Sequence, residues 1–173
     1  MPRSILIATM ALVTALTACE EFQGVQRRQW ITPEFLMQYQ DAGGLLVERH
    51  GLPWPSATPE ETVATLRMPE GAARDLRFRE ISPGQILIDR GERLVLHFNP
   101  VGPIDATANC QANEPLETGQ GGDGFVVSVT FCKGDIWLVH ATFDADDVAE
   151  RDWLAYYLRM QELFGIMFPP DSS

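Results

Sequence analysis

Phe125-Val126-Val127-Ser128-Val129-Thr130-Phe131-Cys132, then Lys133-Gly134-Asp135, then Ile136-Trp137-Leu138-Val139-His140-Ala141-Thr142-Phe143 is the stretch that sets the fold class. Apolar residues alternate with polar ones on both sides of a glycine-centred turn, the pattern of a β-hairpin with one buried face. A three-residue loop, Lys133 to Asp135, predicts Phe131 opposite Trp137, Val129 opposite Val139, Val127 opposite Ala141 and Phe125 opposite Phe143, all on one face. The same register sets Ser128 near His140 and Cys132 near Ile136 on the other. A one-residue slip would turn every side chain to the wrong face.

Upstream, Gln85–Ile88 and Leu94–Phe98 flank Arg90-Gly91-Glu92 and predict a second hairpin, with Ile88 opposite Leu94 and Ile86 opposite Leu96. Both turns are cation–glycine–acid, and each has a histidine six residues past its glycine, at His97 and His140. Two similar solutions to one turn problem account for this more simply than a duplication. Leu45-Leu46-Val47 reads as a further short strand. Between the hairpins, Pro100 to Gly124 reads as a long irregular connection, the kind of loop that carries function or mobility.

Helix signals lie on either side of the strands. Thr32-Pro33-Glu34 and Thr58-Pro59-Glu60-Glu61 each supply an N-cap, a proline at the first helical position and an acid at the positive end of the dipole. Thr58 and Glu61 have capping-box spacing. Asp144-Ala145-Asp146-Asp147 is expected to open a long C-terminal helix. Its apolar stripe runs through Trp153, Tyr156, Met160, Leu163 and Phe164, and Gly165 is expected to stop it. The resulting expectation is an α+β domain over 30–173: an antiparallel sheet of four to six strands on a long C-terminal helix, with two short N-terminal helices.

The first residues belong to something else. Arg3, the apolar run Ile5 to Ala15 and then small residues have the layout of a secretory signal peptide, too short to span a bilayer. The closing Leu16-Thr17-Ala18-Cys19 resembles the lipobox of bacterial lipoproteins. That resemblance implies a signal peptide over 1–18, diacylglycerol on the Cys19 thiol, cleavage before Cys19 and an acylated amine. Two or three acyl chains hold a domain on a bilayer far more firmly than one. The bilayer, reached through acylated Cys19, is then a partner, and residues 19–29 read as a polar tether. Arg27-Arg28 in it reads as a solvated pair. Glu20 rather than Asp after the cysteine points to the outer membrane, facing the periplasm.

Cleavage would leave about 155 of the 173 residues, enough for one real core. Arg3 is the one charge lost, so the formal net charge of −11 becomes one unit more negative. Such a chain lacks the basic face that nucleic acid requires. With Cys19 lipidated, Cys110 and Cys132 remain, and in an oxidising envelope they are expected to form a disulfide. A metal site would need more ligands than this pair supplies.

No constellation converges on catalysis. Gly119-x-Gly121-x-x-Gly124 matches a dinucleotide fingerprint in letters only, because a strand follows it rather than a helix. Ser128 lies mid-strand, not on a nucleophile elbow, so His97 and His140 with Asp105 or Ser128 make a poor triad. Asp144, Asp146, Asp147 and Glu150 lack the calcium-loop pattern and read as helix caps. Trp137 and Trp153 are expected in the sheet–helix core, and Trp54, between two prolines, near the surface. The sequence therefore assigns no catalytic, cofactor or metal residue. It points to a non-enzymatic envelope lipoprotein, a binding or assembly-accessory module for an envelope protein or a cell-wall component. The alternative is a small envelope hydrolase using His97 or His140 with an acid.

Overall fold

The computed structural model describes residues 22–70, 73–81, 91–122 and 124–170. The lipobox and the strand expected at Gln85–Ile88 lie outside them. The elements run β1 (Phe22–Arg27), α1 (Pro33–Met37), β2 (Leu45–His50), α2 (Pro59–Ala64), β3 (Phe78–Ile81), β4 (Glu92–Phe98), α3 (Ala106–Gln111), β5 (Phe125–Lys133), β6 (Ile136–Ala145) and α4 (Trp153–Met167). The strands form one sheet in the order β1-β6-β5-β4-β2-β3.

The α+β class and the C-terminal helix stand, but the sheet is mixed. β4, β5, β6 and β1 are antiparallel neighbours, whereas β2 runs parallel to both β3 and β4. The reason is the connection: β2 leaves the sheet through α2 and returns at β3 in the same sense, as a helical crossover requires. The pairing expected for Ile86 and Ile88 falls outside the described residues. Leu94 itself pairs with Val47 on one side and Phe131 on the other.

The hairpin β5–β6 forms with a shifted register. Lys133 pairs with Ile136 across a turn with Gly134 at φ 60°, and a bulge follows between Phe131 and Cys132. Cys132 then faces Trp137, Phe131 faces Val139, and Phe125 faces Ala145. The loop between the paired Lys133 and Ile136 is two residues rather than three, which shifts β6 by one position, and the bulge shifts it by another, so the displacement is two and parity survives beyond the bulge. Seven of the eight expected core residues are therefore buried together, and Trp137 is not among them. It packs on the opposite face against the cluster of Val95, Cys110 and Cys132.

The main core lies on one face of the sheet, beneath α4 and α2. Trp54, Phe98, Phe125 and Tyr156 meet there with ring centroids about 6 Å apart, in mostly edge-on contacts. Trp54 is 1% exposed, which corrects its expected surface position: the prolines turn the chain so that the indole drops between Phe125 and Trp153. The Thr58–Glu61 capping box forms as expected. α4 starts later than expected, because β6 runs on through Asp144 to Ala145 and Asp152 is the cap. Gly165 lies inside α4 rather than ending it. Its absent side chain lets Pro69 approach to 3.3 Å of where a Cβ would stand. Past Gly165, Met167 and Phe168 are closed against the core.

Two readings of connecting chain are also corrected. Residues 22–27 are not free tether but edge strand β1, paired with β6 through backbone bonds. The irregular 100–124 connection contains α3, capped by Asp105.

Candidate functional site

The face of the sheet opposite the main core is polar, and it is covered. Alternation along β2, β4, β5 and β6 turns Glu48, His50, Arg93, His97, Ser128, Thr130, His140 and Thr142 to that side, and each is buried. Helix α3 and the chain that follows it to Gly121 lie over them. All three histidines of the protein are on this face.

An ion pair forms its centre. Glu48 accepts from Arg93 Nε at 2.7 Å, with both side chains 1% exposed. Arg93 also donates to the carbonyl oxygens of Cys110 at 2.8 Å and Gly134 at 2.9 Å. The other Glu48 oxygen lies 2.9 Å from His50 Nε2. Leu116 N–H donates to His50 Nδ1 at 3.0 Å, so Nδ1 carries the lone pair and Nε2–H donates to Glu48. His97, the register partner of His50 with its ring centroid 6.0 Å away, binds the next residue of the same segment: its Nε2–H donates to the Glu117 carbonyl at 3.0 Å. Two histidines on adjacent parallel strands thus hold two successive residues of the covering chain.

Asn109 of α3 is the second fastening. Its amide donates to Ser128 Oγ at 2.8 Å and Thr130 Oγ1 at 2.9 Å. Thr130 then has its hydroxyl hydrogen for His140 Nδ1, 3.0 Å away. The third is covalent: Cys110 and Cys132 form the expected disulfide, with both residues fully buried.

Burial pushes the pKa of both His97 and His140 below the ordinary imidazole value. For His97 the nearby His50 adds to the effect, while the Glu117 carbonyl and Asn109 oppose it. For His140 the carboxylate of Asp105 opposes it. A histidine whose pKa is lowered by folding contributes stability that is complete above its unfolded value of about 6.5 and is lost as pH falls through its folded value. The midpoint of urea unfolding should therefore decline as pH falls below about 6.5. His140→Gln should flatten part of that slope.

No protein-family model matches the chain, and no curated protein or solved structure matches it. Its function must be argued from its own geometry. His97 and His140 lie on β4 and β6 with β5 between them, and each is bonded to a different partner. Ser128 is fully buried and accepts from Asn109, away from any elbow. Asp105 caps α3 through Thr107 N–H. The residues considered for a hydrolytic set are thus near one another but are joined to structural partners rather than to each other. The Asp144–Glu150 acids are distributed between strand and turn: Glu150 bonds Ser56 and Asp147 pairs with Arg159. Among the described residues no three His, Cys, Asp or Glu side chains are grouped as metal ligands, and no helix is long and apolar enough to cross a membrane.

Two open clefts flank the covered face. One, of about 560 Å³, lies between β1 and the chain after β4, lined by Gly24, Gln26, Gly102, Ile104, His140 and Thr142. The other, of about 400 Å³, lies at the carboxyl ends of β2 and β4, between Leu52-x-Trp54-Pro55 and Thr118–Gly121. Its glycine-rich wall is built by close approach. Gly121 packs on the Pro53 carbonyl, and Asn99 ties the two sides, its amide donating to the Leu52 carbonyl and its own carbonyl accepting from Gly119 N–H. Residue alternation could have revealed the three histidines as one group, since each sits at the parity opposite its strand's core residues. The covering role of α3 had only the Asp105 cap as its signal.

Proposed function

We propose that this chain is a lipid-anchored lipoprotein of the bacterial envelope, with a non-enzymatic domain that binds a partner or supports an assembly. The anchor rests on Leu16-Thr17-Ala18-Cys19 and the apolar run before it. The non-enzymatic reading rests on the buried face: the side chains able to do acid–base chemistry hold a disulfide-fastened segment on the sheet. A catalytic histidine needs a nitrogen within reach of a reacting proton, and His97 directs Nε2 to a backbone carbonyl instead. The outer membrane, with the domain in the periplasm, is the destination suggested by Glu20. An envelope protein or cell-wall component is the class of partner.

Cys19→Ser should abolish globomycin-sensitive processing and move the protein out of the membrane fraction. Retention of lipid labelling in that variant would reject the anchor. Affinity capture of the detergent-solubilised wild-type protein should recover a specific envelope partner, and repeated capture of the bait alone would count against the binding role.

A further inference from the structure

We infer that the domain stands on the bilayer by one pole, the end of the sheet made by the carboxyl ends of β4 and β6, with Val101 and Leu154 at the head-group surface. The inference rests on lipidation of Cys19. It follows from the length of chain between that residue and the fold. β1 begins at Phe22, so only three Cα–Cα steps separate it from Cys19. However they run, three steps reach at most about 11 Å. A ten-residue tether would have let the domain turn freely, whereas this one does not.

The topology then decides which surface is near. β1 is antiparallel to β6, with Phe22 beside Phe143, so the lipid attaches at the carboxyl end of β6. Across the sheet that end continues through Phe125, which pairs with Ala145, and Asn99, whose N–H donates to the Val126 carbonyl. The 99–104 turn and the start of α4 project there. They carry two large apolar side chains that the core does not use: Val101 is 52% and Leu154 68% exposed. Asp146, Asp147, Glu150 and Asp152 are exposed at the same end, so the contact suits zwitterionic rather than anionic head groups. The opposite pole, about 30 Å away along β6, carries Ile136 and Trp30 with Arg27 and Arg28 stacked on Trp30 and Trp137. It would face away from the anchoring membrane, towards partners.

The test is hydrogen exchange of the mature lipidated protein on phosphatidylcholine vesicles, compared with the soluble Cys19→Ser protein. Backbone amides at 99–102 and 149–154 should exchange more slowly on vesicles, and those at 133–137 at unchanged rate. Twelve Gly/Ser residues inserted after Glu21 should remove the protection while the intact mass still includes lipid. Val101→Asp with Leu154→Asp, both solvent-exposed, should weaken it in the same way. Lipidated protein without protection at this pole, or protected at 133–137, would overturn the orientation and leave the anchor standing. A mature protein without lipid would overturn both.

Discussion

Glu48→Ala lowers the unfolding free energy by about 3–5 kcal/mol, the cost of leaving one member of a buried ion pair alone. Urea unfolding of the oxidised protein at pH 7.5 measures it. The size of the effect comes from what Glu48 joins. One oxygen neutralises Arg93 at 2.7 Å, and the other receives His50 at 2.9 Å. Without the carboxylate, Arg93 keeps, among the described residues, the carbonyls of Cys110 and Gly134, and its charge, 1% exposed, loses the carboxylate that neutralised it. His50 loses its acceptor as well, which loosens its hold on Leu116. Glu48→Leu combined with Arg93→Met should be milder than Glu48→Ala alone, because it removes both charges together. A single variant no less stable than wild type would mean that the pair is not buried as described.

Cys110→Ser with Cys132→Ser is the second large loss, about 3 kcal/mol for a loop closed by a separation of 22 residues. The effect should be local as well as global. The disulfide fastens α3 to β5, and α3 presents Asn109 to Ser128 and Thr130. Amide exchange in the double variant should therefore rise first at 105–121, while the β5–β6 ladder stays protected until global unfolding. Equal acceleration across the whole sheet would show that the bond acts only by constraining the unfolded chain and does not hold the cover in place.

The sequence made some of this legible and concealed the rest for identifiable reasons. Local chemistry was readable. The Thr58–Glu61 capping box, the Thr32 cap, the Gly134 turn and the stripe along α4 are written within a few residues of where they act. The β6 register was hidden by a two-residue loop and a bulge, two one-residue shifts that together restore the alternation. The parallel pairing of β2 was hidden because it depends on a crossover and a partner far along the chain. β1 was hidden by its own composition: Gln23-Gly24-Val25-Gln26-Arg27 is too polar to announce a strand, and β6 supplies its backbone partners. The histidines were visible as strand residues, but His50 was set apart by the prolines after it. Its pairing with His97 needs the parallel register.

The two outer strands have a consequence for crowding. On the proposed lipid anchor the domain would meet its neighbours in two dimensions, where lateral contacts are frequent and an open sheet edge is a template for the next chain. β1 is such an edge, but its ladder is broken between Gln23 and Gln26, with Gly24 at φ 25°. A broken ladder offers an incoming strand no continuous row of donors and acceptors. At the other edge of the described sheet β3 runs for four residues, and its Glu80 is engaged by Arg49. Both margins are therefore poor templates, and copies of this domain can be packed densely on one surface without their sheets fusing.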